Sequence, residues 1–504
     1  MTDSDNQVTQ YHRLDKTLFA AGMQCAKRLY QEFHDPGSIP KPNEMRKSLA
    51  EIGQSLTEMA WDGFPRGERI EGKDHATAAT RTLEALQGDS GAAIFDAAFT
   101  RNGVEIRCDV VLPSRDEKTI DIFEVKSGTK VKPRHVMDVA LQMWVIEGAG
   151  YTVRSASLLH LDAEFRHDGS KDFPVHEIFK NADVTKKARK RKRRIEDYID
   201  NFQIILDDET TLELPTGTWC LNPIPCCYAA QCRKLAPENP LLEFPDLTPG
   251  QESELHQLGI ETIDQIDPET EKLTDVQKRV LKSFAANDLV VEELLAEEFD
   301  TIVYPLCVVS TQLALHVLPR FEHSRPWQHV PFQWSARILQ ENGDVEYRSF
   351  VSDGTEDPRQ AFVKSFAQCI DDVGTVVTWS RRLEPSLRQI MEDLRPVKEE
   401  VRSLLQMDPL ALDVLIKNAT YHPKQKGSFD LRDVHTALTG NDLSTGKAGI
   451  DNEEDARAAF EKMQNTRTRS TTRAKLKKDL GEYGSRQSQA MLEIVQKLQV
   501  NDDC

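Results

Sequence analysis

Between Ala92 and Ser127 the chain spells three short apolar runs in close succession, a spacing that an antiparallel meander satisfies and a helical bundle does not. AAIFDAAF and EIRCDVVL flank Arg101-Asn102-Gly103, and Asn-Gly supplies the positive φ values that a tight hairpin turn needs. A polar turn at Asp116–Lys118 leads into TIDIFEVKS, the third strand. A helix is predicted from about His135 to Glu147, then a strand near 155–161. Upstream, 14–34 reads as one helix with Leu18, Met23, Leu29 and Tyr30 as buried positions, and 44–60 as another that ends at Asp62-Gly63. Helix, meander, helix, strand is the order of a small mixed α/β core.

A chain of 504 residues exceeds one ordinary core, so two or three domains are expected. The boundaries predicted are 1–236 for the first domain, a helical linker over 237–300, and a second α/β domain over 301–504. Pro237–Pro249 reads as a linker, and LTPGQESELHQLGIETIDQI, which overlaps its end, as a short helical hairpin. The polar, acidic start MTDSDNQVTQYHRL is unlike a secretory signal, and no apolar run approaches the roughly 18 residues of a membrane span. A cytoplasmic protein without a membrane partner is the expectation.

The chemistry is concentrated around the third strand. Glu124 and Lys126 stand two residues apart, so strand geometry puts them on one face while Val125 packs behind. Asp109 ends the preceding strand, and Gln142 lies in the following helix, from which it can reach back. Two carboxylates beside a lysine suit phosphodiester hydrolysis. Asp109 and Glu124 would hold Mg²⁺ or Mn²⁺ through hard oxygen ligands, and Lys126 would orient water and neutralise charge at phosphorus. Asp96, on the first strand, is a weaker third acid. The plain alternative is a solvent-facing Glu and Lys, but a strand as apolar as Ile120, Ile122, Phe123 and Val125 argues against it.

Nine cysteines are unevenly placed. In TWCLNPIPCCYAAQC, Cys220, Cys226 and Cys232 are each separated by five residues, and Cys25 adds a fourth thiol early in the chain. Zinc sites usually space their cysteines more tightly, whereas a 4Fe–4S cluster takes four thiolates at such spacings. Structural zinc and unligated core cysteines remain the alternatives. Cys227 is a spare, and Cys108, Cys307 and Cys369 read as ordinary buried thiols.

A formal net charge of −18 repels nucleic acid on average, so any such partner must meet a local basic surface. KKARKRKRR provides one, on a helix predicted over 183–204: Lys186, Lys187, Arg189, Lys190, Arg191, Lys192, Arg193 and Arg194. It can release counterions from phosphates. A solvated helix face and a nuclear-import signal are the competing readings.

At these motifs the chain resembles RecB-like PD-(D/E)XK nucleases that carry a four-cysteine iron–sulfur staple, as in CRISPR-associated adaptation nucleases and AddB. It is more closely similar to a prokaryotic family that joins such a nuclease to a DEDD-type, RNase H-like exonuclease domain. The markers are QCAKRLY, IFDAAF, EIRCDVVL, FEVKSGTKVK, HVMDVALQMW, CLNPIPCCYAAQC, YPL, RPWQHVPFQWS and YHPKQKGSFDLRDV. The resemblance implies a restriction-endonuclease-like mixed sheet core followed by an RNase H-like α/β domain. It makes Asp109, Glu124 and Lys126 the catalytic set, Gln142 the accessory glutamine, and Cys25, Cys220, Cys226 and Cys232 the cluster ligands. It implies a metal-dependent nuclease acting on DNA ends or single strands, in repair or in defence against mobile elements, with protein partners met through the second domain. A non-catalytic nucleic-acid-binding or scaffold subunit is the alternative.

Two departures matter. No histidine ligand appears in GQSLTEMA (53–60), where many such nucleases place one. In the second domain Ser310 and Gln312 stand where two metal-binding acids belong, Ala411-Leu412 replaces an Asp–Leu pair, and Gln487 replaces a final Asp; Glu384 alone keeps a plausible acid. Ser and Gln cannot supply the charge that captures Mg²⁺, so an inactive exonuclease fold is expected there.

Overall fold

In the computed structural model, residues 11–42, 44–64, 66–72, 74–88, 91–114, 118–270, 272–444 and 449–500 are described. The expected turn residues Asp116 and Glu117, and Cys504, lie outside them. The chain is mixed α/β and divides into two compact units. One runs up to Pro215 and takes in Trp219–Lys234 and Val317–Trp327; the other comprises Thr216–Thr218, Leu235–His316 and the chain from Gln328 onward.

The first unit is built on a six-stranded sheet in sequential order: β1 (Glu68–Arg69), β2 (Ile94–Arg101), β3 (Val104–Pro113), β4 (Thr119–Lys126), β5 (Thr152–Leu161) and β6 (Phe179–Asp183). The β2–β3 hairpin turns on Asn102 and Gly103, both with positive φ (47° and 74°), as the Asn-Gly pair predicts. β3 and β4 are antiparallel; β4 and β5 are parallel and joined by helix α5, which spans Pro133–Gly148.

The helices before and after it are α1 (Lys16–Gln24), α2 (Ala26–His34), α3 (Glu44–Trp61), α4 (His75–Leu86), α6 (Val175–Ile178), α7 (Thr185–Lys192) and α8 (Ile195–Asp207). The buried face of α5 (Val139, Ala140, Met143, Ile146) packs with β2 to β5 and with Ile195, Ile199 and Phe202 of α8 in one core. Each of the larger of these side chains, Ala140 apart, contributes roughly 1.5–3 kcal/mol by leaving water.

Two expected helices are each broken in two. Residues 14–34 form α1 and α2 because Cys25 adopts an extended conformation (φ −160°, ψ 128°) between them. Of the four positions expected to be buried there, Leu29 is fully so and Met23 is exposed; Phe19 and Ala21 take its place on the inner face. Gly22 lets α1 approach α8, since a Cβ there would stand 2.7 Å from the Phe202 ring. The basic helix likewise divides into α7 and α8 at Arg193 and Arg194.

On the other face of the sheet, Leu56 and Ala60 of α3 meet Val125, Leu161 and Ile178. This second, smaller core also takes in Val317, with Leu318 and Trp327 against it. The Trp327 indole donates to the carbonyl of Ser127, immediately after the Glu124-Val125-Lys126 triplet.

In the second unit, β7 (Val290–Val291) pairs with β13 (Thr420–Tyr421). The main sheet joins β8 (Leu306–His316), β9 (Gln328–Leu339), β10 (Val345–Val351), β11 (Thr375–Thr378) and β12 (Leu410–Ala411) in the order β10-β9-β8-β11-β12. β8, β9 and β10 form an antiparallel meander, and β11 runs parallel to both β8 and β12. Helices cover both faces, among them the 31-residue helix Ser470–Val500. Residues 237–249, expected as a linker, carry Leu241 and Phe244 into a buried cluster with Leu255, Ile263 and Val280. Their apolar side chains outweigh the loop-like proline content.

Candidate active site and cysteine cluster

The antiparallel register sets Val110 of β3 opposite Phe123 of β4, and one step further along the ladder Asp109 comes beside Glu124. Asp109 Oδ2 accepts the Val125 backbone N–H at 2.7 Å, which anchors that carboxylate to β4. Glu124 is 3% exposed. Its Oε1 accepts Lys126 Nζ at 2.7 Å and its Oε2 accepts Gln142 Nε2 at 2.8 Å. The four predicted residues Asp109, Glu124, Lys126 and Gln142 therefore meet in one cluster, with Val125 buried on the opposite face as period-two geometry requires.

Two further members were not foreseen. Asp138 Oδ2 accepts Lys126 Nζ at 2.7 Å and its Oδ1 accepts Gln142 Nε2 at 3.3 Å. Lys16, the first residue of α1, places Nζ 2.8 Å from Glu124 Oε1 and 3.1 Å from Asp138 Oδ1. Asp138 was discoverable: it precedes Gln142 by four residues, so both share a face of α5. Lys16 gave no local signal. Asp96, the weaker third acid of the sequence reading, does not join them. Its φ of +56° interrupts the β2 ladder, and its carboxylate pairs with Arg69 at 3.0 Å.

Charge sets the character of the cluster. Burial, and then the neighbouring Glu124, push the Asp109 carboxyl up to about 7 against the pull of Lys16 and Lys126. Burial works against the Lys126 ammonium, but Glu124 and Asp138 outweigh it and hold its pKa above the ordinary value. For Asp138, burial is overcome by Lys16 and Lys126, which hold it well below the usual carboxylate range. Among the described residues no three His, Cys, Asp or Glu side chains are arranged to hold an ion. Here the ammonium groups occupy the space between the acids. The donor set itself fits a hard divalent cation: the mutually repelling carboxylates of half-buried Asp109 and buried Glu124, which such an ion would relieve.

The four predicted cysteines also converge. Cys25, Cys220, Cys226 and Cys232 all line one small cavity, together with Trp219 and Tyr228. Gln24, next to Cys25, ties α1 to the loop by donating to the carbonyls of Trp219 (2.9 Å), Asn222 (3.3 Å) and Ile224 (2.8 Å). The Cys226 N–H closes the loop onto the Cys220 carbonyl at 2.8 Å. Burial raises the Cys25 and Cys232 thiols. Cys227 is outside this lining, its Sγ lying 3.9 Å from Glu32 Oε1. Cys108, Cys307 and Cys369 are buried elsewhere. Four thiols lining one cavity are the soft donors that an iron–sulfur cluster or zinc takes, but among the described residues their sulfurs are not grouped as a metal site in this structure.

The basic run divides by role. Arg189 donates to the carbonyls of Val153 and Arg154, and Lys192 pairs with Glu147, so these two serve the fold. Lys187, Lys190, Arg191 and Arg194 line a groove of about 460 Å³ with Lys132 and Tyr198. Arg194 stacks over the Tyr198 ring at 5.2 Å. Lys186 and Arg193 are exposed and outside this lining.

In the second unit, Ser310, Gln312 and Gln487 line a single cleft of about 900 Å³ together with Thr378, Asp413 and Tyr483. Gln312 Nε2 lies 3.4 Å from Ser310 Oγ. Glu384 is not part of this lining; it pairs with Arg388 at 2.6 Å.

Residues 314–430 match DUF2779, a domain of unknown function. No curated protein sequence matches the chain. Among solved structures, one titled "Crystal structure of SSO0001" is similar over 45% of this chain and 89% of its own, at 12% identity and a TM-score of 0.20. No described helix is long and apolar enough to cross a membrane.

Proposed function

We propose that the first unit is a Mg²⁺- or Mn²⁺-dependent DNA nuclease of the PD-(D/E)XK kind, of RecB-like ancestry. The observation that carries this reading is the meeting of Asp109, Glu124, Lys126 and Gln142, with Glu124 held at 2.7 Å by Lys126 and at 2.8 Å by Gln142. A divalent cation on Asp109 and Glu124 would supply Lewis-acid polarisation of the scissile phosphate and acidify the attacking water. Lys126 carries its ammonium to the same place and stabilises the charge that develops on phosphorus. Gln142 fixes the second oxygen of Glu124, and Asp138 fixes Lys126, so neither group has to be ordered at the moment of reaction.

The groove of Lys132, Lys187, Lys190, Arg191 and Arg194 supports a nucleic-acid substrate despite the acidic average charge. Single strands and ends are the substrates we favour, in prokaryotic DNA repair or defence. Cys25, Cys220, Cys226 and Cys232 would hold a 4Fe–4S cluster with a structural role. The strand order and directions of the second unit agree with an RNase H-like ancestry, and its neutral Ser310, Gln312 and Gln487 with lost exonuclease chemistry. Asp413, Asp430, Asp433, Asp451, Glu453 and Glu454 also line this cleft, but the loss of charge at Ser310, Gln312 and Gln487 themselves favours the second reading, a non-catalytic binding role for this unit beside protein partners.

The test is degradation of single- and double-stranded DNA by anaerobically purified protein with Mn²⁺ or Mg²⁺. Cleavage should stop with chelator and with Lys126→Ala. Activity that survives both would refute the assignment.

A further inference from the structure

We propose that Lys16 holds the divalent-cation position in the metal-free protein and yields it when the cation binds. The inference rests on the nuclease reading of the same site. Glu124 has no idle oxygen: Oε1 accepts Lys16 at 2.8 Å and Lys126 at 2.7 Å, while Oε2 accepts Gln142. Asp138 is equally engaged, by Lys16 and Gln142 on Oδ1 and by Lys126 on Oδ2. Asp109 uses Oδ2 for Val125. A cation shared by Asp109 and Glu124 through Oε1 of Glu124, the oxygen that already takes both ammonium groups, would displace one of them.

Lys16 is the one free to leave. Lys126 sits two residues from Glu124 on the same strand face, and its backbone is held there by pairing with β5. Lys16 arrives from a separate element, as the first residue of α1. That is the end of a helix where a positive charge is disfavoured by the aligned peptide dipoles, so the acids and not the helix hold it in place. The two side chains are almost equally exposed, but Arg107 O, 3.4 Å from the Lys16 Nζ, offers Lys16 a second acceptor. Once displaced, the ammonium remains at the mouth of the site, where the phosphate of a bound strand would be its natural counter-ion. Lys16 thus acts as a resident cation that keeps buried acids compatible before metal arrives, and as a phosphate contact afterwards.

The experiment is a Mn²⁺ titration of the full-length protein, with free ion read by electron paramagnetic resonance, on the unaltered chain and on Lys16→Met, Lys16→Arg and Asp109→Asn. Lys16→Met should bind Mn²⁺ at least about tenfold more tightly, the order expected when a competing unit charge is removed from a partly desolvated site. It should nevertheless cleave DNA more slowly. Lys16→Arg, whose fork grips two carboxylates more firmly, should bind Mn²⁺ more weakly; this variant carries the test if Lys16→Met does not fold. Asp109→Asn should lose the site. Asp109-dependent binding of Mn²⁺ that neither Lys16 variant shifts would overturn this proposal alone. Absence of Asp109-dependent binding in the unaltered chain would overturn the nuclease reading, and this inference with it.

Discussion

Lys126→Ala is expected to do more than stop cleavage; it should also loosen the first unit. In the metal-free protein three carboxylates, Asp109, Glu124 and Asp138, share two ammonium groups, Lys16 and Lys126. Lys126 makes two contacts of 2.7 Å, to Glu124 and Asp138, whose side chains are 4% and 20% exposed. At an effective dielectric of about 20, each contact is worth roughly 4 kcal/mol before the desolvation cost of the ammonium is subtracted. Removing one partner of such a buried pair costs about 3–5 kcal/mol. Lys16 remains to neutralise part of the excess, and Asp109 can take up a proton, so we expect a net loss of about 2–3 kcal/mol. That corresponds to a fall in Tm of roughly 5–10 °C for a unit of this size, read by thermal denaturation with chelator present. Cleavage with Mn²⁺ should drop by at least about a hundredfold. An unchanged Tm would refute the electrostatic reasoning even if activity were lost, because it would mean that Lys126 is solvated and not pinned between the two acids.

Other perturbations separate roles that look alike in the sequence. Cys25→Ser and Cys232→Ser should lower thermal stability and the bound iron or zinc content, whereas Cys227→Ser, outside the cavity, should leave both unchanged. Replacing Lys187, Lys190 and Arg191 together by Ala should weaken binding to single-stranded DNA and flatten the slope of log affinity against log salt by about two units, at roughly 0.7 per lost phosphate contact. Arg189→Ala should instead act on stability, since its guanidinium serves two backbone carbonyls of β5. Gly484→Ala should destabilise the second unit by about 1–3 kcal/mol in chemical denaturation. Its Cβ would fall 2.2 Å from Gln333 Nε2 and 2.5 Å from Ser335 Oγ, and the Gln333 amide is already committed to the Leu480 carbonyl.

What could be read in advance followed local physics. The β2–β3–β4 meander is written in alternating apolar residues and an Asn-Gly turn, and Glu124 and Lys126 share a face because strands repeat every second residue. The convergence of Cys25 with Cys220, Cys226 and Cys232 was legible as chemistry but not as geometry: the break that frees Cys25 from the helix shows no proline or glycine at that position. Lys16 was invisible because its partners are about a hundred residues away in sequence, and nothing local distinguishes it from a solvated lysine. Residues 237–249 misled because prolines mark turns whether or not the intervening Leu and Phe are buried.

The excursion of Val317–Trp327 has a practical meaning for anyone dividing this gene into expressible pieces. A fragment ending after the cysteine loop at Lys234 would carry Asp109, Glu124, Lys126, Asp138, Lys16 and the four clustered cysteines, yet lack Val317, Leu318 and Trp327 from the greasy patch around Leu56, Val125 and Leu161. It would also leave the Ser127 carbonyl without its indole donor, one residue past Lys126. Poor solubility or weak cleavage by such a truncation would then reflect a missing plug, and should not be scored against the residues that remain.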